Sequence, residues 1–157
     1  MPEPAISVIL LDPYHPVTGL LVPFVAQRMR EVAEAFFVEL SPDTYVREIM
    51  VRLWNRDPRV MVVALCDPKG NVVGHGVATI ETDGINSWCF VSQVKADGNV
   101  GDAVHQALEM ANEWARQAGC RLMLMATGRS ERAWERAYGF KVDRRIMSRE
   151  IISSQKG

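Results

Sequence analysis

Apolar and polar positions along this chain repeat with more than one period, and the changes of period mark its elements. "ISVILL" (6–11) is a short continuous apolar run that predicts a strand or an extended arm, and the turn-rich "DPYHPVTG" follows. From about Pro23 the apolar residues Val25, Met29, Val32, Ala33, Phe36, Phe37 and Leu40 recur at helical spacing, which predicts a helix to about residue 40. "SPDTY" opens a second helix. Ser41 offers a hydroxyl to the unpaired amides of the first turn, Pro42 sits where its missing N–H costs nothing, and Asp43 faces the positive end. Val46, Ile49, Met50, Leu53 and Trp54 form its buried stripe, and "NRDP" ends it.

The pattern then becomes that of strands. "RVMVVALCD", "VVGHGVATIE" and "INSWCFVSQVK" are separated by the turn signals "PKGN" and "TDG", so they read as an antiparallel meander. Helical spacing returns after "KADGNVG": Val104, Leu108, Ala111, Ala115 and Ala118 line one face of a helix that begins near Gly101 and closes at Gly119. "RLMLMA" follows as a buried strand, Ser130 caps a short helix to Tyr138 that Gly139 ends, and "FKVDRRIMSREII" supplies one or two last strands. A strand–helix–strand unit joined to a meander implies an α/β (α+β) fold. Its central sheet is mixed and largely antiparallel, with helices on both faces and a parallel, right-handed crossover. One domain over residues 1–152 is expected, with a short polar tail at 153–157.

Composition narrows the picture by exclusion. The chain has 157 residues, 48% of them apolar and 24% charged, with a net charge of -1. That size supports one real core, and the neutral balance gives no field for nucleic acid or an anionic membrane. No Walker loop, Rossmann glycine pattern or helix-turn-helix signature is present either. Between residues 129 and 150 seven Lys/Arg outnumber four acids, an excess that reads as a solvated face. Cys66, Cys89 and Cys120 are scattered, without a paired Cys or His, so no zinc site or disulfide framework is expected. The apolar runs are too short to cross a bilayer and lack a basic lead, so the expectation is a cytoplasmic protein.

The chemistry concentrates at "GNVGDA" (98–103), a glycine-bearing turn that opens a helix. The amides of Asn99, Val100, Gly101, Asp102 and Ala103 are the donors such a turn offers to a phosphate. A capping turn with no ligand is the alternative. Together with "DPKGNVVGHGVATI" and "ERAYGFKV", and in that order, this loop resembles the GNAT superfamily of acyl-CoA-dependent N-acyltransferases over roughly residues 45–152. In that family a Gln/Arg-x-x-Gly-x-Gly/Ala turn after the fourth strand holds the pyrophosphate of coenzyme A. Gly101 and Ala103 match it, whereas its leading Gln or Arg falls on Gly98, and Asp102 places a carboxylate inside the loop.

The resemblance implies acetyl-CoA or coenzyme A as co-substrate and no metal. It implies cofactor contacts at Gln93, Gly98, Asn99, Val100, Gly101, Asp102 and Ala103, and at Ser130, where many members carry an Asn that touches the pantetheine arm. A serine there also serves as an ordinary helix cap. Acyl transfer to an amine needs a base, an acid for the leaving thiolate and a donor for the oxyanion, which in this fold resembles a backbone amide on the splayed fourth strand. The family's acid is often a Tyr four residues before the Gly-Phe pair. That count lands on Glu135, and Tyr138 is the tyrosine at hand; its other reading is an aromatic at the helix end. "INSWCFVSQVK" holds no carboxylate, so Glu81, ahead of it, is the candidate base or a plain surface acid; Asp83 shares that turn. His75 and Cys89 read as core.

Two functions follow. One is acetyl transfer to a small amine or a protein amino group. The other is a GNAT-like domain without catalysis that serves as a structural or interaction component of a larger assembly, such as a virus particle, and then resides in the virion. A homodimer or a larger protein assembly is the expected partner in either case.

Overall fold

The computed structural model describes residues 5–32, 41–125 and 131–141. The chain forms two compact units, 1–126 and 127–157. In the first, the order is β1 (Ser7–Leu10), α1 (Pro16–Val32), α2 (Pro42–Trp54), β2 (Val60–Cys66), β3 (Val72–Thr82), β4 (Ser87–Ala96), α3 (Ala103–Gln117) and β5 (Met123–Met125). The second holds α4 (Glu131–Tyr138). Residues 33–40, Ser130, the last strands and the tail lie outside the described residues.

The sheet runs β1-β2-β3-β4-β5, antiparallel except for the parallel β4–β5 pair. This is the mixed sheet that the strand pattern implies, with the meander at β2–β4 and the crossover through α3. Both faces are covered, which is why all seven residues of β2 are buried. Val60, Val62, Ala64 and Cys66 pack with Leu21, Val25 and Met29 of α1 and with Val46, Ile49 and Leu53 of α2. Met61 and Val63 turn the other way and, with Gly76, Ala78 and Val91, meet Ala107, Leu108 and Ala111 of α3. Period two along β2 thus becomes two separate cores.

Three boundaries differ from the sequence reading, each for a physical reason. Helix α1 begins at Pro16, not near Pro23, and Pro23 lies inside it. An internal proline costs about 3 kcal/mol. Burying Leu21, Val25 and Met29 on one face returns roughly 1.5–3 kcal/mol each, so the helix tolerates it. Its start is held by Thr18, whose buried hydroxyl donates to the Asp12 carbonyl at 2.6 Å and accepts from the Asp12 amide at 2.9 Å. Trp54 does not join the α2 stripe; as the last residue of that helix it is 46% exposed. Helix α3 starts at Ala103 because Gly101, at φ 55°, cannot enter a right-handed turn.

The caps follow the sequence signals closely. Ser41 Oγ accepts from the Thr44 amide at 3.2 Å. At the end of α3 the Gly119 amide bonds Arg116 O at 3.0 Å and the Cys120 amide bonds Ala115 O at 2.9 Å, which is a Schellman closure. Cys89 is fully buried, and burial, with Cys120 nearby, pushes its thiol up to about 12, so it packs as core. No helix among the described residues is long and apolar enough to cross a membrane.

Candidate acyl-CoA site at the head of α3

Strand β4 carries the site, and its irregularity shapes it. Val77 pairs with Gln93 and Ala78 with Val91, so Ser92 is an extra residue in β4, a bulge. Pairing with β5 covers Cys89, Phe90 and Val91 and stops at that bulge among the described residues. Beyond it β4 runs to Ala96 and the loop 98–102, which delivers the chain to α3.

The loop has a defined internal geometry. The Asp97 amide donates to Val73 O at 2.8 Å, and the Asp97 carboxylate takes Nη1 of Arg28 at 2.7 Å. That bond to Arg28 holds the carboxyl below its usual range. Asn99 Oδ1 accepts from the Gly101 amide at 2.9 Å, and Ala103 N donates to Val100 O at 3.2 Å. Two of the five amides expected to serve an anion are therefore engaged within the loop. Those of Val100 and Asp102 donate no hydrogen bond among the described residues. The loop borders a cleft of about 430 Å³, lined by residues 99–103 and Gln106 with Ala5 and Ile6. That volume is in the range of small-molecule sites.

Asp102 caps α3 without a side-chain hydrogen bond to any amide. Its carboxylate therefore leaves the donors unoccupied, which favours the outward of its two sequence-level readings. Asp102→Asn is expected to tighten acetyl-CoA binding by no more than about fivefold, the ~1 kcal/mol that one exposed charge contributes at a helix start. Calorimetry would show a gain far above this if the carboxylate competed with the anion.

The remaining sequence candidates sit as follows. Gln93 is buried, and its side chain is used up in the interior. Nε2 donates to Met29 O at 3.2 Å and Oε1 faces His75 Nε2 at 2.7 Å. Glu81 is half-buried on β3 beside Trp88 of β4, and accepts from the Thr79 hydroxyl at 2.8 Å. Glu81 and the loop lie at opposite ends of β3 and β4, so the structure does not bring them together. Within the second unit Tyr138 packs on Trp134, ring centroids 5.1 Å apart, and Phe140 meets Trp134 edge-on at 6.0 Å. Gly98 and Asn99 are exposed loop residues. Ser130 lies outside the described residues. Among those residues no three His, Cys, Asp or Glu side chains converge on a point where a metal ion fits.

Sequence reasoning left His75 as a packed strand residue and did not find its partner. The ring is fully buried. Because Gln93 Nε2 is spent on Met29 O, Gln93 Oε1 must accept, so His75 carries its proton on Nε2 and Nδ1 is left without a partner. Burial, with the Arg28 and Lys95 cations adding to it against the Gln93 bond and Asp97, pushes His75 below its ordinary value. The neutral ring is thus the folded form. The unfolded chain binds a proton that the folded chain refuses, so stability falls as pH drops below about 6.5, by up to about 1.4 kcal/mol per pH unit. Urea midpoints at pH 7.5 and 5.5 should differ more for the wild type than for His75→Gln; equal differences would remove His75 as the cause.

The architecture is that of the GNAT acetyltransferases. The chain superposes on an acetyltransferase of Trypanosoma brucei with a TM-score of 0.64 at 18% identity, covering 93% of this chain and 99% of that one. On an aminoglycoside N-acetyltransferase solved in complex with CoA the score is 0.69 at 12% identity, covering 96% and 97%. On glucosamine-6-phosphate N-acetyltransferase from Arabidopsis thaliana it is 0.63 at 12% identity, covering 94% and 99%. These likenesses establish the fold. No family model matches the chain, and no curated protein matches it in sequence.

Proposed function

We propose that the protein is an acyl-CoA-dependent N-acyltransferase that moves an acetyl group from acetyl-CoA to a small amine or a protein amino group. The observation that carries this reading is the loop at the head of α3. It holds unengaged amides at Val100 and Asp102, a left-handed glycine between them, and a cleft in front. A helix start with free N–H groups favours a phosphate electrostatically and by hydrogen bonding. The other solved GNAT folds include one in complex with CoA.

In the reaction the amine nitrogen attacks the thioester carbonyl, a C–N bond forms and the C–S bond breaks. The amine gives up a proton, and the coenzyme leaves as a thiolate that takes one. The chain's contribution is to bind the pyrophosphate at residues 99–103 and to present the acyl carbonyl to β4 where its pairing with β5 stops. Tyr138 is the proposed acid and Glu81 the proposed base, with Gly98 and Ser130 as further cofactor contacts.

The melting temperature in the presence of acetyl-CoA, and separately of coenzyme A, tests the reading. Ligand at about 100 times its dissociation constant stabilises the fold by roughly 2.7 kcal/mol. A shift with both, followed by thiol release in an amine screen, supports the enzyme. No shift at millimolar cofactor supports the non-catalytic component instead.

A further inference from the structure

The bulge in β4 is held from two helices at once. Strand side chains normally alternate between faces, yet Ser92 and Gln93, which are consecutive, both reach the side of the sheet that carries α1 and α2. The Ser92 hydroxyl lies 2.8 Å from the Tyr45 hydroxyl of α2 and 3.4 Å from Val77 O across the ladder. Gln93 is tied to α1 through Met29 O and to β3 through His75. Tyr45 packs at the edge of the core beneath α1 and α2. A buried phenol needs a hydrogen-bond partner, and Ser92 is the one it has. With Ser92 donating to Val77 O, Tyr45 donates to Ser92, and the bulge is locked by a short chain of hydroxyls.

This lock lies where β4 stops pairing with β5. A ladder with an extra residue has more than one local arrangement, and backbone groups there can rotate unless something fixes them. Resting on the acyltransferase reading, we propose that Tyr45 is a positioning residue: through Ser92 it sets the β4 bulge so that a backbone amide meets the acyl carbonyl of the bound thioester. Burial is the main cause that pushes the Tyr45 hydroxyl up to about 12, so it keeps its proton and the contact persists over the pH range in which such an enzyme works. Tyr45 touches no reacting atom. Its effect falls on the geometry of the carbonyl site, which is distinct from the phosphate loop. The same two helices that grip the bulge flank the residues 33–40 between them, so an occupant of that side would feel the bulge through Tyr45 and Met29.

The test needs no knowledge of the acceptor. Acetyl-CoA labelled with carbon-13 at the thioester carbonyl is bound to the full-length protein, and its carbonyl stretch is recorded by infrared difference spectroscopy. Calorimetry gives the affinity of the same samples. A donor at the carbonyl lowers that stretch in the wild type. Tyr45→Phe and Ser92→Ala are expected to bind acetyl-CoA within about twofold of wild type and to lose most of the lowering. Ser92→Thr keeps a hydroxyl and should retain it. Where an acceptor is found in the amine screen, Tyr45→Phe should lower kcat roughly tenfold with KM for acetyl-CoA unchanged, as expected when a reacting centre is displaced. An unaltered stretch in both hydroxyl-deletion variants overturns the positioning role and leaves the enzyme reading intact. A wild type that binds no acetyl-CoA overturns both together. A melting temperature for each variant guards against unfolding, and a folded Ser92→Thr that loses the shift also counts against the proposal.

Discussion

Gly101→Glu is expected to bind acetyl-CoA at least a hundredfold more weakly than the wild type, or about 2.7 kcal/mol. Two effects add. Gly101 has φ 55°, a region that costs an ordinary L-residue roughly 1–2 kcal/mol, so the loop shifts or strains. More important is the charge. A Cβ at this position meets nothing within 4 Å, so the new side chain enters open space in front of the Val100 and Asp102 amides. A carboxylate about 4 Å from a phosphate oxygen is repelled by about 4 kcal/mol at the effective dielectric of a protein surface. Gly101→Asn separates the two effects, because asparagine tolerates the left-handed region and brings no charge. It should bind within about threefold of wild type. Isothermal calorimetry on both variants decides the matter, and wild-type affinity in the Glu variant would mean that the anion lies elsewhere.

The second large effect is on stability. Gly74→Val should destabilise the fold by about 3 kcal/mol and lower Tm by roughly 10 °C. A Cβ at Gly74 would stand 2.8 Å from Leu65 Cδ1, 2.8 Å from Lys95 O and 3.2 Å from Ala96 Cα. The leucine end can swing away, but the other two atoms are backbone of β4. Strands β3 and β4 would have to part just ahead of Asp97 and the phosphate loop, so cofactor affinity should fall as well. Gly76→Ala is the control. Its nearest neighbour is Val63 Cγ2 at 3.1 Å, a side-chain methyl, and the next atom is 3.9 Å away. It should cost about 1 kcal/mol. Urea unfolding of the three proteins gives the ranking, and a Gly74→Val as stable as wild type would show that the two strands separate freely.

Part of this molecule could be read along the chain. Ser41, Pro42 and Asp43 announced α2, the β-branched runs and their turns announced β2–β4, and Gly101 and Gly119 bracketed α3. Each of these signals acts over a few residues, through capping bonds, backbone conformation or the spacing of apolar side chains, so neighbours in sequence suffice to show it. The phosphate-loop pattern at Gly101 and Ala103 was legible for the same reason, because consecutive amides form it.

What escaped depends on residues far apart. Nothing near Pro23 says that Leu21, Val25 and Met29 will find β2 and carry the helix through the proline. The apolar spacing of α2 includes Trp54, but the helix end leaves it 46% exposed. Gln93 has the chemistry of a cofactor contact, and the fold spends it on His75 and Met29, the latter 64 positions away. Tyr45 and Ser92 meet across 47 positions, at a bulge that exists only because β4 is one residue out of step with β3. Cross-strand register and helix docking are properties of the assembled sheet, and a side chain's partner in them has no trace in its own neighbourhood. Local periodicity and capping therefore settle which elements form, whereas long-range packing settles which polar groups stay free to do chemistry.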